Sequence, residues 1–257
     1  MGKIDEEETM KYSYVTLLLA IFSILNSFKT QAQGIVRGGN EGIILEYTGF
    51  TVSFNSQTKL PNWVAYELTK EETEGQVKRN SNFYPDPELK VKQADNNDYR
   101  NTGWDRGHMA PAGDMKWSEQ AMFESCYFTN ICPQNKNLNG GDWRALEERC
   151  RTWAQKYGKV QIVCGPILGD MKNGTLGDNK VAIPDAFFKV LLVKIADVYE
   201  GIGFIFENKA GHKNLGEYAM SIDSVEHITG LDFFHQLPNR VENKLEANYH
   251  KDVWAIK

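Results

Sequence analysis

Asp105-Arg106-Gly107-His108-Met109-Ala110-Pro111 is the stretch on which the reading of this chain turns, with Asn139, Glu147 and Arg151 following downstream. One imidazole, two guanidiniums, an amide oxygen and a carboxylate are what metal-assisted phosphodiester hydrolysis requires. They supply a base for water, cations for the phosphate and oxygen donors for a hard ion. His108 is the natural base, because imidazole titrates near neutral pH without elaborate tuning. Gly107 is expected to let the backbone turn beside it, and Arg106 to offer a bidentate fork to a phosphate. Asn139 offers a neutral oxygen to an ion such as Mg²⁺, which accepts few protein ligands and keeps several waters. Glu147 would hold those waters, and Arg151 one helical turn later would stabilise phosphate charge. Each residue also has a plainer reading. His108 beside a glycine is an ordinary loop histidine, Asn139 before Gly140-Gly141 a turn and cap, and Glu147 with Arg151 a solvated pair worth little.

The 257 residues are 41% hydrophobic and 12% aromatic, which suits a packed core and excludes a disordered chain. A net charge of -5 is low for a protein that grips nucleic acid through phosphates. Any such grip must come from the local field of a cleft and its metal. At the N-terminus, Lys11 precedes the apolar run Val15 to Leu25, which ends in Lys29-Thr30-Gln31-Ala32. The run is shorter than the roughly 18 to 20 residues of a spanning helix. Thr30 and Ala32 supply small residues for cleavage after Ala32, so residues 1–32 read as a secretory signal of a secreted or periplasmic protein. Residues 1–9 are acidic and read as a start-site artefact, with Met10 the better start. Cys126, Cys132, Cys150 and Cys164 permit either two disulfides or free buried thiols. Their spacing lacks the Cys-x-x-Cys of structural zinc.

Gly34 to Gly42 reads as a linker. Residues 43–47 and 50–54 read as strands around Thr48-Gly49, and residues 63–68 as another. Residues 70–103 read as a long loop. Ser118 is expected to cap a short helix, and residues 127–131 to form a strand that Pro133 stops. A helix over 141–157 would bury Trp143, Leu146, Cys150, Trp153, Ala154 and Tyr157, with Glu147 and Arg151 at the edge of that face. Residues 160–163, 187–195 and 201–206 read as core strands, with Gly165-Pro166 a turn. Ser221 is expected to cap a helix through Ile228, before a packed C-terminal segment at 231–234. Strands and helices mix without regular alternation, so the fold class is α+β, in one domain over 43–257.

Together with Thr129-Asn130-Ile131-Cys132-Pro133-Gln134 and Leu138-Asn139-Gly140-Gly141-Asp142-Trp143-Arg144-Ala145-Leu146-Glu147, the opening heptapeptide closely resembles the DNA/RNA non-specific endonucleases. These are the ββα-metal, endonuclease G-like family; the leader suggests a secreted bacterial type. The resemblance covers roughly Tyr47 to Phe234. It implies a central antiparallel sheet flanked by helices, and Mg²⁺-dependent cleavage of DNA and RNA, with Mn²⁺ as a substitute ion and 5′-phosphate ends. It makes His108 the general base, Asn139 the direct metal ligand and Glu147 the holder of metal-bound water. Arg106 and Arg151 would contact the scissile phosphate, Arg79 would bind substrate upstream, and Asn130 would support the base. A homodimer and an inhibitor protein are open as partners. A competing reading is a catalytically silent nucleic-acid-binding protein on the same scaffold, and a third is a phosphodiesterase for small substrates. If His108 is the base, activity should fall below its pKa, roughly 6.5 when unperturbed. His212, His227, His235 and His250 have no comparable neighbours and read as structural or surface residues.

Overall fold

The computed structural model describes residues 35–256. The expected leader at 1–32 lies outside them. In chain order the strands are β1 Val36–Gly38, β2 Ile43–Glu46, β3 Thr51–Asn55, β4 Leu60–Thr69, β5 Trp104–His108, β6 Ile131–Asn135 and β7 Lys159–Ile167. They continue with β8 Thr175–Leu176, β9 Val181–Ala182, β10 Ala186–Ile195, β11 Val198–Glu207, β12 Ala219–Met220 and β13 Leu231–Phe233. The helices are α1 Asn96–Tyr99, α2 Glu119–Glu124, α3 Lys136–Gly140, α4 Asp142–Tyr157, α5 Ile222–Thr229, α6 Asn239–Ala247 and α7 Lys251–Trp254.

Seven strands form one sheet in the order β12-β11-β10-β7-β4-β3-β2, every neighbouring pair antiparallel. Side-chain alternation divides its two faces. Val64, Tyr66 and Leu68 of β4 and Phe187 and Leu191 of β10 join Trp143, Leu146, Cys150 and Trp153 of α4 in one core. Trp63 and Ala65, with Phe188, Val190 and Leu192, join Ile222 and Val225 of α5, Leu245 of α6 and Phe233 of β13 in the other. Covering both faces is why the middle strands read as unbroken apolar runs rather than alternating ones. The fold is α+β around a central antiparallel sheet, as expected.

Three local expectations are overturned. The Gly34–Gly42 linker contains β1, which pairs with β13 through Val36↔Phe233; three residues are too few to show a period. Residues 127–131 are a 3₁₀ turn, Phe128–Asn130, entering β6, and β6 runs through Pro133 instead of stopping there. β6 has one strand partner, so Pro133 loses no ladder bond; its carbonyl accepts from Asn208 Nδ2 at 3.0 Å. Gly165-Pro166 lies inside β7 rather than in a turn: β4 pairs only as far as Cys164, so beyond it β7 has a free side that tolerates proline. Residues 231–234 are packed as expected, with Leu231, Phe233 and Phe234 buried; α6 and α7 follow them, and Trp254 of α7 meets Trp153 of α4 edge to face at 4.9 Å. All four cysteines are free, buried thiols. Among the described residues no helix is long and apolar enough to cross a membrane.

Candidate active site

β5 and β6 form a separate antiparallel ribbon, Trp104↔Asn135 to His108↔Ile131, and α3 and α4 follow it directly. This strand-strand-helix unit holds the heptapeptide. Gly107 makes no turn: it lies within β5, and its missing side chain leaves room for buried Gln134, whose Oε1 would sit 2.2 Å from a Cβ there. Asn135 caps α3 by accepting from Asn137 N at 3.0 Å. The break between α3 and α4 falls at Gly141, whose backbone (φ -112°, ψ -110°) brings Asn137 O to 2.4 Å from where a Cβ would be. Asn139 is thereby on a one-turn helix of its own, beside β5 rather than on the long helix.

His108 ends β5 and is 6% exposed. Its carbonyl accepts from the Trp143 indole at 3.3 Å, which ties the ribbon to α4. The ring lies 5.3 Å from Phe83, and Nε2 is 4.0 Å from Cys126 Sγ. Burial, reinforced by the Arg79 guanidinium, pushes its pKa down to about 3. The unperturbed value of 6.5 therefore does not apply to His108, and a fall in activity tied to its protonation is expected only well below that pH. Asn130 is fully buried and commits its amide to the backbone. Its Nδ2 donates to Ala110 O at 2.9 Å and Ser125 O at 2.8 Å, and its Oδ1 accepts from Ala110 N at 2.9 Å. It fixes the chain just after His108.

Asn139 Nδ2 donates to Asp105 Oδ2 at 3.0 Å, which fixes the amide flip and keeps the oxygen for a ligand. Among the described residues no hydrogen bond or ion pair occupies the half-buried Glu147 carboxylate. Burial pushes it up to about 7, opposed chiefly by the Lys189 ammonium. The plainer reading of Glu147 and Arg151 as a solvated pair does not hold, because Arg151 pairs elsewhere. Arg151 Nη1 donates to Asp114 Oδ1 at 2.7 Å, and Asp114, fully buried, also accepts from Tyr66 Oη at 2.9 Å. Burial pushes the Asp114 carboxyl up and Arg151 pulls it back. Arg106 lies between two rings, 5.5 Å from Phe83 and 5.3 Å from Tyr99, with Nη2 donating to Asn96 O at 3.3 Å. Its Nε is buried without a partner among the described residues. Arg79 is exposed, and its charge reaches His108, Cys126 and Glu147.

The donor set fits a hard divalent ion: one oriented amide oxygen and one unclaimed carboxylate, both hard oxygen donors. Asp105, Asp114, Tyr66 and Lys189 were missed in the sequence. Two of them left a signal: Asp114 and Lys189 are lone charges inside apolar runs, Met109 to Met115 and Phe187 to Val193. His212 Nδ1 pairs with Asp142 at 2.6 Å and His250 Nδ1 with Glu200 at 2.7 Å, both outside this constellation.

The family model described as DNA/RNA non-specific endonuclease matches residues 30–240. The mitochondrial nuclease EXOG of Danio rerio is 36% identical over 207 residues, covering 74% of this chain and 60% of that protein. The mitochondrial endonuclease G of Caenorhabditis elegans is 32% identical over 222 residues, covering 79% and 72%. A solved structure of EndoG, in complex with EndoGI, superposes with a TM-score of 0.73 at 26% identity, covering 79% of this chain and 91% of that one. This chain thus spans about three fifths of the EXOG relative's length, and these relatives are named as mitochondrial rather than secreted bacterial proteins. On the matched model and on these relatives together, the chain belongs to the DNA/RNA non-specific endonuclease family.

Proposed function

We propose that the chain is a divalent-metal-dependent endonuclease that hydrolyses phosphodiester bonds in DNA and RNA. The observation that carries this reading is the Asn139 amide, held at 3.0 Å by Asp105 beside the strand that ends in a neutral imidazole. Asn139 would hold the metal directly and Glu147 through its waters. Bound Mg²⁺, or Mn²⁺ in its place, supplies Lewis-acid stabilisation of phosphoryl charge. His108 takes the proton of the attacking water at a ring nitrogen. A phosphate arriving beside Arg79 offsets that cation's field and raises the basicity of His108 when it is needed. Arg106, beside the Phe83 and Tyr99 rings, and Arg151, held by Asp114, stabilise the phosphate. Exposed Arg79 gathers the substrate strand. The expected products carry 5′-phosphates.

A cleavage assay on matched DNA and RNA tests this, with wild type, Asn139→Ala and His108→Ala, with Mg²⁺ and with EDTA. Wild type should cut both, EDTA should stop it, and each variant should lose roughly 10²- to 10⁴-fold in rate. Binding without cleavage in Mg²⁺ and Mn²⁺ would overturn the reading in favour of a silent binder. Undiminished cleavage by His108→Ala would remove His108 as the base. The apolar run at 15–25, with Ala32 after it, supports export to the periplasm or medium. N-terminal sequencing of mature protein should find Gln33 first.

A further inference from the structure

On the sheet face away from α4, α5 and α6 place three carboxylates together. Asp223 and Glu226 lie one turn apart on α5, and Glu246 is in the last turn of α6. One carboxylate oxygen of each lies within 4.8 Å of the other two. Their burial differs: Asp223 is exposed and Glu226 half-buried, whereas Glu246 is only 6% exposed. Glu246 Oε1 is buried with no hydrogen-bond partner among the described residues. Glu226 is held in place by its Oε1, which accepts from Phe233 N at 2.7 Å. Glu242 and Asp232 add further negative charge around Glu246, and Asp232 pairs with Arg37.

A buried carboxylate with an oxygen that accepts nothing, grouped with two more carboxylates, calls for a positive species among them. The donors are all oxygens, which selects a hard cation over zinc or copper. Ligand oxygens around Ca²⁺ sit at about 2.3–2.6 Å and so reach about 4.6–5.2 Å apart, against about 4.2 Å at most around Mg²⁺. The 4.8 Å bound on this set lies within the span of the larger ion, whose flexible shell of 6–8 oxygens takes waters beside a few carboxylates. Asp223, at the solvent edge, gives an entry path, and water completes the shell. We propose that Asp223, Glu226 and Glu246 form a Ca²⁺ site that clamps α5 to α6, separate from the active centre.

Titration calorimetry and thermal melting with CaCl₂ test this in the full chain carrying Asn139→Ala, so that the active-centre metal contributes nothing. One Ca²⁺ per chain and a rise in Tm are expected. Adding Glu246→Gln, or Asp223→Asn at the exposed position, should weaken Ca²⁺ binding by roughly tenfold or more and abolish the rise in Tm. In the otherwise wild-type chain, Glu246→Gln should leave Mg²⁺-dependent cleavage unchanged. No Ca²⁺ binding at millimolar concentration, or binding that neither substitution weakens, would overturn the proposal.

Discussion

Two groups of carboxylates are buried on opposite faces of the same sheet, and they are answered differently. On the α4 face, Asp114 has Arg151 at 2.7 Å and Tyr66 at 2.9 Å, and the charge of fully buried Lys189 acts on both Asp114 and Glu147. On the α5–α6 face, the charges acting most strongly on Glu246 are Glu226, Glu242, Asp223 and Asp232, all acidic. The first set is completed by the chain itself and holds Arg151 in place. The second is completed only by something taken from solution. Asp114→Ala should give the largest effect, because it strands Arg151 and removes a counter-charge from Lys189. Breaking a buried pair costs about 3–5 kcal/mol. With the Arg151 side chain still 25% exposed, the lower end is expected in urea unfolding. Cleavage should fall with it, and Asp114→Asn, which keeps an acceptor, should lose less stability. An alanine variant as stable as wild type would erase the contrast.

Lys189→Met sharpens it further. Burial alone lowers the Lys189 pKa, but the thiols of Cys164 and Cys150 and the carboxylates of Glu147 and Asp114 more than reverse this. Its Nζ lies 4.5 Å over the Trp143 ring. Methionine fills the space but leaves the two carboxylates short of a cation, so a loss of about 1–2 kcal/mol in urea unfolding is expected. Glu246→Gln should act with the opposite sign. Burial, and then Glu226 and Glu242, push the Glu246 carboxyl up to about 8 from an ordinary 4.5. The folded state therefore binds more protons than the unfolded one between those values. Stability falls as pH rises from 4.5 to about 8 and is flat beyond. Glutamine should flatten that slope and add about 1–2 kcal/mol at pH 8 in EDTA. Melting curves against pH for both proteins check it. If Lys189→Met and Glu246→Gln shift stability in the same direction, the two faces are not different in kind.

Most of the candidate site was legible because each proposed member is a polar residue at a recognisable place in the chain. His108, Asn139, Glu147, Arg106 and Arg151 all belong to one strand-strand-helix unit, close in sequence. The residues that hold them were not legible in that way. Tyr66 reaches Asp114 from β4, and Lys189 reaches the same place from β10. Such contacts depend on strand order, which no local pattern encodes. The central strands were readable from their apolar runs, yet prolines misled twice. Pro133 and Pro166 look like strand breakers, but each sits where its strand has a free side, and that is a property of the assembled sheet. Likewise β1 has three residues and exists only because β13 lies beside it. Glu147 and Arg151 were correctly placed at the helix edge. The partner of Arg151 was not, since buried Asp114 outcompetes an i,i+4 contact with Glu147.

The smallest expected effect concerns His108, the third kind of buried titratable group in the molecule. Neither carboxylate nor cation answers it; burial and the Arg79 charge keep it neutral, with its pKa lowered from 6.5 to about 3. The unfolded chain takes up a proton below 6.5 that the folded one refuses until about 3. The His108 contribution is therefore complete above 6.5 and lost as pH falls through that window. At pH 5.5 it amounts to about 1 kcal/mol, readable as a smaller acid destabilisation in His108→Asn than in wild type. The ring itself gives the sharper test. Its ¹⁵N resonances should report a neutral imidazole at pH 5.5, with no titration near 6.5. An imidazolium signal there would mean that water reaches the ring. The depressed pKa, and with it a base kept unprotonated until substrate arrives, would then fall.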